Sequence, residues 1–211
     1  MAIKRALTVQ NILDKKYNLF DFENEWFDFI DKPEKLGIWF IWGNSGNGKT
    51  SFILQLIKAL APFEQMLMNS REEGTRHTLQ KSLNAFHMIE VKNRVLFVNE
   101  NMTDLTLRLK QKKSPKVVII DSFQYTQMSY RDYLNFKEQF PNKLIIFISH
   151  ADGKNPSGRS AKSVMYDASL KIWVEGYQAI SKGRYIGTTG LKGRYIIWDQ
   201  KAEEYGEVKN E

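Results

Sequence analysis

The 211-residue chain contains no cysteine, which removes disulfide staples and thiolate zinc sites together. Histidine is nearly as scarce. His77, His87 and His150 are the only three, and they lack metal-ligand spacing, so any metal must arrive with a ligand. No apolar run approaches the roughly 20 residues that cross a bilayer. The N-terminus carries no secretory hydrophobic segment, and the expectation is a cytoplasmic protein with no membrane partner. Low-complexity tracts are missing as well, which excludes a linker or a disordered tail as the body of the chain.

What is present suits one ordinary domain. Hydrophobic residues make up 42% of the chain and aromatic residues 13%, enough to build an interior around a sheet. The formal charge is +7, which favours a polyanionic partner. Residues 8–17 read as a short helix. Residues 19–30 hold a cluster of rings, Phe20, Phe22, Trp26, Phe27 and Phe29, that suits a lid packed over one end of the core; the alternative is a ring stacked on a nucleotide base or on a second subunit.

From Leu36 onward, strand and helix signals alternate. Residues 36–42 form a continuous apolar run, the mark of a strand buried on both faces. After a glycine-rich turn, Phe52, Leu56 and Leu60 recur at helical spacing until Pro62 stops the helix. Strands over 65–69 and 94–99, a helix over 75–88, and a helix capped by Thr103 and bearing Leu105 and Leu109 follow. Residues 117–120 form a buried strand ending at Asp121. Ser129 and Asp132 form a capping box, and 144–149 is another buried strand. This order implies an α/β fold with a mostly parallel sheet and helices on both faces. Residues 151–163 read as a loop rich in Gly, Ser and Lys. Strands over 170–175, 177–186 and 195–198 follow, and Lys-Gly-Arg-Tyr-Ile, at 182 and again at 192, marks a hairpin. The expected division is an N-terminal helix and aromatic lid over 1–34, a core over 35–198, and a frayed acidic tail over 199–211.

The turn after the first strand reads Gly43-Asn44-Ser45-Gly46-Asn47-Gly48-Lys49-Thr50, followed by Ser51. Successive backbone N–H groups of such a turn converge on phosphate oxygens, and the next helix aims its positive end at them. Lys49 is expected to reach the β- and γ-phosphates of ATP or GTP, and Thr50 to ligate Mg²⁺. Asp121, at the end of a buried strand, is the expected second Mg²⁺ holder. Glu72 is the expected base for an attacking water, with Glu73 and Glu100 as rivals. His150 ends the next strand, where it suits a γ-phosphate sensor.

Together these residues resemble the RecA-superfamily ATPase core, nearest in pattern to its RadA and DnaB-type branch. Ser70-Arg71-Glu72 is similar to that branch's Ser-x-Glu strand end, and Asp121-Ser122 to its magnesium strand end. His150 stands where the branch usually has glutamine. Gly158, Asp167 and Lys182-Gly-Arg-Tyr-Ile-Gly continue the likeness, which covers 35–198. The resemblance implies hydrolysis of Mg-ATP by a homo-oligomeric ring or filament acting on single-stranded DNA in recombination, repair or replication. It places Lys154, Arg159 and Lys162 at the DNA-facing loop, and Lys182 and Arg184 as a finger reaching the neighbouring subunit's γ-phosphate. The zinc finger and protease-like domain of RadA proteins and the N-terminal helical domain of DnaB have no counterpart, so the reading is a bare motor core. Two other classes fit the phosphate loop: a kinase of a small molecule, and an ATP-gated assembly module.

Overall fold

Six of the seven residues of strand β1 (Gly37–Gly43) are buried, and their side chains divide by parity. Trp39 and Ile41 enter one hydrophobic cluster, while Ile38, Phe40 and Trp42 enter another, as the two-residue period of a strand dictates. A strand with two apolar faces belongs in the middle of a sheet, and β1 lies there. This computed structural model describes residues 5–186 and 190–208; Gly187 of the repeat motif and residues 209–211 of the acidic tail lie outside them.

In chain order the elements are α1 (Val9–Leu13), α2 (Asn24–Ile30), β1, α3 (Lys49–Leu60), β2 (Met66–Ser70), α4 (His77–Ala85), β3 (Val95–Val98), α5 (Met102–Leu109) and β4 (Val117–Asp121). There follow α6 (Tyr130–Gln139), β5 (Leu144–Asp152), β6 (Asn155–Pro156), α7 (Arg159–Asp167), β7 (Leu170–Glu175), β8 (Gln178–Gly183), β9 (Arg194–Ile196) and α8 (Asp199–Val208). The sheet order is β3-β2-β4-β5-β1-β7-β8-β9, with β6 paired to β5. Strands β1 to β5 and β7 pair in parallel, and β8 and β9 add antiparallel at one edge. Helices α2 and α3 supply Phe29, Phe52, Leu56 and Leu60 to one cluster. Leu105, Tyr133, Phe136 and Val164, from α5, α6 and α7, supply the other. The expected α/β class, mostly parallel with helices on both faces, is what the chain adopts.

One detail narrows the sequence reading and three differ from it. Phe20, Phe22 and Phe29 are buried in the main cluster beside Trp39, and each contributes about 1.5–3 kcal/mol by burial. These three rings are therefore part of the core and unavailable to a base, while Trp26 and Phe27 are half-buried against the same cluster. Asn101, not Thr103, caps α5, its side chain accepting from the N–H groups of Thr103 and Asp104 at 2.9 and 3.0 Å.

Residues 151–163 are no open loop. Strand β5 runs to Asp152, Ala151 and Asp152 pair with Pro156 and Asn155, and α7 begins at Arg159. The apolar residues that seat α7, Ala161, Val164 and Met165, lie three and four apart. Their small number amid Gly, Ser and Lys hides that periodicity. Finally, residues 199–208 are helical, with Ala202 buried.

Candidate nucleotide-binding site

The phosphate loop connects β1 to α3 at the C-terminal edge of the parallel strands, where open α/β sheets bind ligands. Its glycines answer to local geometry. A Cβ on Gly43 would overlap the Val174 carbonyl of β7. Gly48 has φ +92°, and a Cβ there would meet the Tyr177 ring at 3.0 Å. Asn47 clamps the loop to the β7–β8 turn: its side-chain oxygen accepts from Gly176 N–H at 2.8 Å, and its carbonyl from Tyr177 N–H at 3.2 Å. Asn44 Nδ2 donates to the Gly153 carbonyl at 3.2 Å, which ties the other end of the loop to the β5–β6 hairpin. Lys49 opens α3 and its ammonium donates to the Asn44 carbonyl at 2.9 Å, curled within the loop it serves.

Around the loop opens a cleft of about 550 Å³, lined among others by Ser45, Gly46, Thr50, Ser51, Glu72, Glu73 and Asp121. The Asp121 carboxyl is raised to about 7, by burial first and by Glu72 second, with Lys49 opposing and Glu73 adding a smaller push. Burial lowers the Lys49 ammonium, against the pull of Glu72 and Asp121. Burial is the first cause of both shifts: it holds Asp121 towards its neutral acid and Lys49 towards its neutral amine.

The donor set fits Mg²⁺. Thr50 and Asp121 line the cleft and offer oxygens, the chemistry that ion takes; the hydroxyls of Ser70, ending β2, and Ser122, after β4, are buried without a hydrogen-bond partner among the described residues. Among the described residues no group of three or more His, Asp or Glu side chains is placed to hold a metal alone. The ion would therefore complete its shell with water and phosphate, as Mg²⁺ does.

Glu72, just beyond β2, and His150, two residues before the end of β5, meet here: His150 Nε2 lies 3.1 Å from Glu72 Oε2. Arg71 and Glu72 N–H groups both donate to the Asp121 carbonyl, at 2.6 and 3.3 Å, so the Ser70-Arg71-Glu72 corner is built on the end of β4. Of the rivals, Glu73 also lines the cleft. Glu100 does not share it; Arg108 holds that carboxylate through Nε at 2.8 and 2.9 Å. His150 is wired on its other side, its N–H donating to Gln124 Oε1 at 3.2 Å and its carbonyl accepting from Ser157 N–H at 2.9 Å.

The remaining candidates lie elsewhere. Lys154 is exposed at the β5–β6 hairpin, and Arg159 and Lys162 are exposed on α7. Lys182, on β8, pairs with Lys171, and its ammonium sits 4.9 Å over the Trp173 ring. Gly43 aligns with Val174, and Val174 with Ala179. Lys182 therefore lies three residues, about 10 Å, down the sheet from its own loop, with Arg184 beyond it. The sequence reading missed Arg76, Tyr177, Trp198 and Lys201, all of which line the cleft. The last three come from the β7–β8 turn and the start of α8, brought there by topology.

A phosphate loop after the central strand, a carboxylate ending β4, and this strand order define the RecA-like P-loop fold. No family model matches the chain, and no curated protein matches it in sequence. Among solved structures it is similar to the flagellar accessory protein FlaH from Methanocaldococcus jannaschii, with a TM-score of 0.59 at 13% identity over 81% of this chain and 92% of that one. It is also similar to a KaiC-like protein from the hyperthermophilic archaeon Pyrococcus horikoshii, with a TM-score of 0.56 at 18% identity over 75% of this chain and 84% of the other. At such identities the likeness is one of fold. Among the described residues, no helix is long and apolar enough to cross a membrane.

Proposed function

We propose that this chain binds Mg-ATP in the cleft and hydrolyses it, and that it does so as a homo-oligomer acting on single-stranded DNA. The observation that carries the first part is the convergence of Lys49, Thr50, Asp121 and Glu72 on one 550 Å³ cleft. The loop N–H groups and Lys49 bind the β- and γ-phosphates. Thr50 and Asp121 would hold Mg²⁺, which would supply positive charge against the phosphate oxygens. Glu72 accepts the proton of the attacking water, and His150 fixes the carboxylate's direction from 3.1 Å.

Support for the DNA part is positional. Trp42 Nε1 donates to the Lys154 carbonyl at 3.1 Å and Asn44 to Gly153. Whatever grips the exposed Lys154 is therefore one hydrogen bond from the phosphate loop. Support for oligomeric catalysis is the distance of the exposed Lys182 and Arg184 from their own loop.

The test is ATP turnover with and without single-stranded DNA, with the released phosphate followed by label. Lys49→Ala is expected to abolish turnover, and Glu72→Gln to keep ATP binding while losing hydrolysis by roughly 100-fold or more. Normal turnover by Lys49→Ala would overturn the reading. Label appearing in an organic product instead of inorganic phosphate would make the protein a kinase, and tight binding without turnover would make it a nucleotide-gated module.

A further inference from the structure

At the rim of the cleft two rings from distant parts of the chain meet. Tyr177, in the β7–β8 turn, and Trp198, at the start of α8, stand edge to face with centroids 6.4 Å apart. Neither is there by accident of a floppy side chain. Tyr177 takes positive φ, at 55°; its N–H donates to the Asn47 carbonyl of the phosphate loop and its own carbonyl accepts from Ile197 N–H at 2.9 Å. Ile197 and Ala202 are buried on either side of Trp198. The Tyr205 ring, further along α8, packs so closely on Gly176 that a Cβ there would overlap it.

This fixed corner is also accessible. Trp198 is 45% exposed, whereas Trp39, Trp42 and Trp173 are buried. Lys201, on the first turn of α8, places its ammonium 4.3 Å over Trp198 and 4.9 Å over Tyr177. All three side chains line the same cavity as Gly48, Thr50 and Ser51. A cavity of that size suits a whole nucleotide, not a phosphate group alone.

We infer that Tyr177, Trp198 and Lys201 form the base site of this cleft: the heterocycle of a nucleoside triphosphate displaces the Lys201 ammonium from over the Trp198 indole and stacks there, and Lys201 donates to its ring nitrogens or carbonyl oxygens. The inference rests on the nucleotide-binding reading above and adds the specificity of the site. A π-face and an ammonium accept any base, because neither reads the pattern of donors and acceptors along one edge. The site therefore binds ATP and GTP with affinities within about tenfold of each other.

Binding of Mg-ATP and of magnesium tripolyphosphate, measured by calorimetry on the full chain, tests this. Stacking on one ring implies that Trp198→Ala weakens ATP roughly tenfold, leaves tripolyphosphate unchanged, and is largely rescued by Trp198→Phe. ATP should also quench tryptophan emission in the wild type, tripolyphosphate should not, and the quench should vanish in Trp198→Phe. That emission pair decides the matter if Trp198→Ala does not fold. Unaltered ATP affinity in Trp198→Ala, a parallel loss of tripolyphosphate, or a strong preference for one purine overturns the base site while nucleotide binding stands. Failure of the wild type to bind either compound overturns both.

Discussion

Asp121 and Glu72 illustrate how much of the chemistry is local to single positions. Each ends or follows a buried strand, and a strand end in a parallel sheet faces the ligand edge whatever else the chain does. That is why Asp121 and Glu72 could be picked out as candidates in sequence, while Lys49 was marked by the glycine loop before it. Tyr177 and Trp198, far along the chain from the loop whose cleft they line, were not, because no local pattern encodes a contact made by topology. Setting Glu100 aside likewise needed geometry, because only the structure shows Arg108 claiming it, while Glu73 shares the cleft with Glu72. The raised Asp121 carboxyl yields a pH prediction. Its folded value of about 7 lies above the ordinary 3.8, so between those values the native state holds a proton that the unfolded chain has released. This group's effect is absent at lower pH. It costs stability increasingly as pH rises through the window, and the full cost of a buried charge remains above about 7. Relative to wild type, nucleotide-free Asp121→Asn should therefore gain in urea midpoint between pH 4 and pH 8, and Mg-nucleotide should shrink the gap by favouring the charged carboxylate. A midpoint difference that is constant with pH would show that burial does not strain this group.

At the scale of elements, the unit of strand, phosphate loop and helix could be read straight from the sequence because each part has a strong signal: an unbroken apolar run, fixed glycines, and a 3.6-residue period closed by Pro62. The segment 151–163 could not, since its strand extension and short hairpin depend on hydrogen bonds from Trp42 and Gln124, on other elements. Its ordered structure changes what the basic residues do. Lys154 sits on a hairpin held against β1, while Arg159 and Lys162 stand three apart on the exposed side of α7, so they form a fixed track and not a mobile tether. If that track binds backbone phosphate, the affinity for single-stranded DNA should fall steeply as salt rises. The slope of log affinity against log salt should drop by about 0.7 for each phosphate that is no longer neutralised, or about 2 for Lys154→Ala, Arg159→Ala and Lys162→Ala together. Filter binding or anisotropy over a salt series measures it, and an unchanged slope in the triple variant would remove the track from the DNA reading.

At the scale of the whole molecule, the sheet itself separates two sets of cations. Lys49 lies at the ligand edge of β1. Lys182 and Arg184 lie at the far end of β8, where the register places Lys182 opposite Lys171, on the row of Phe40. One strand, β7, and about 10 Å of strand length stand between them and the phosphate loop. Their proposed work is therefore on another subunit's nucleotide, where a cation stabilises the charge that develops in phosphoryl transfer. Their echoes, Lys192 and Arg194, differ in place: Lys192 pairs with Asp28 at 3.4 Å, and Arg194 belongs to β9. Activity per subunit should rise with protein concentration. The double variant Lys182→Ala, Arg184→Ala should bind ATP yet hydrolyse it at least about 100-fold more slowly, given the roughly 10³–10⁵ that such fingers supply elsewhere. Mixing it with Lys49→Ala, which keeps the finger and lacks the loop's cation, separates catalysis in trans from a fold defect. A mixed interface unites one intact loop with one intact finger, so two inactive proteins should regain turnover together. Full activity from a dilute monomer, or no recovery in a mixture shown to co-assemble, would end the idea.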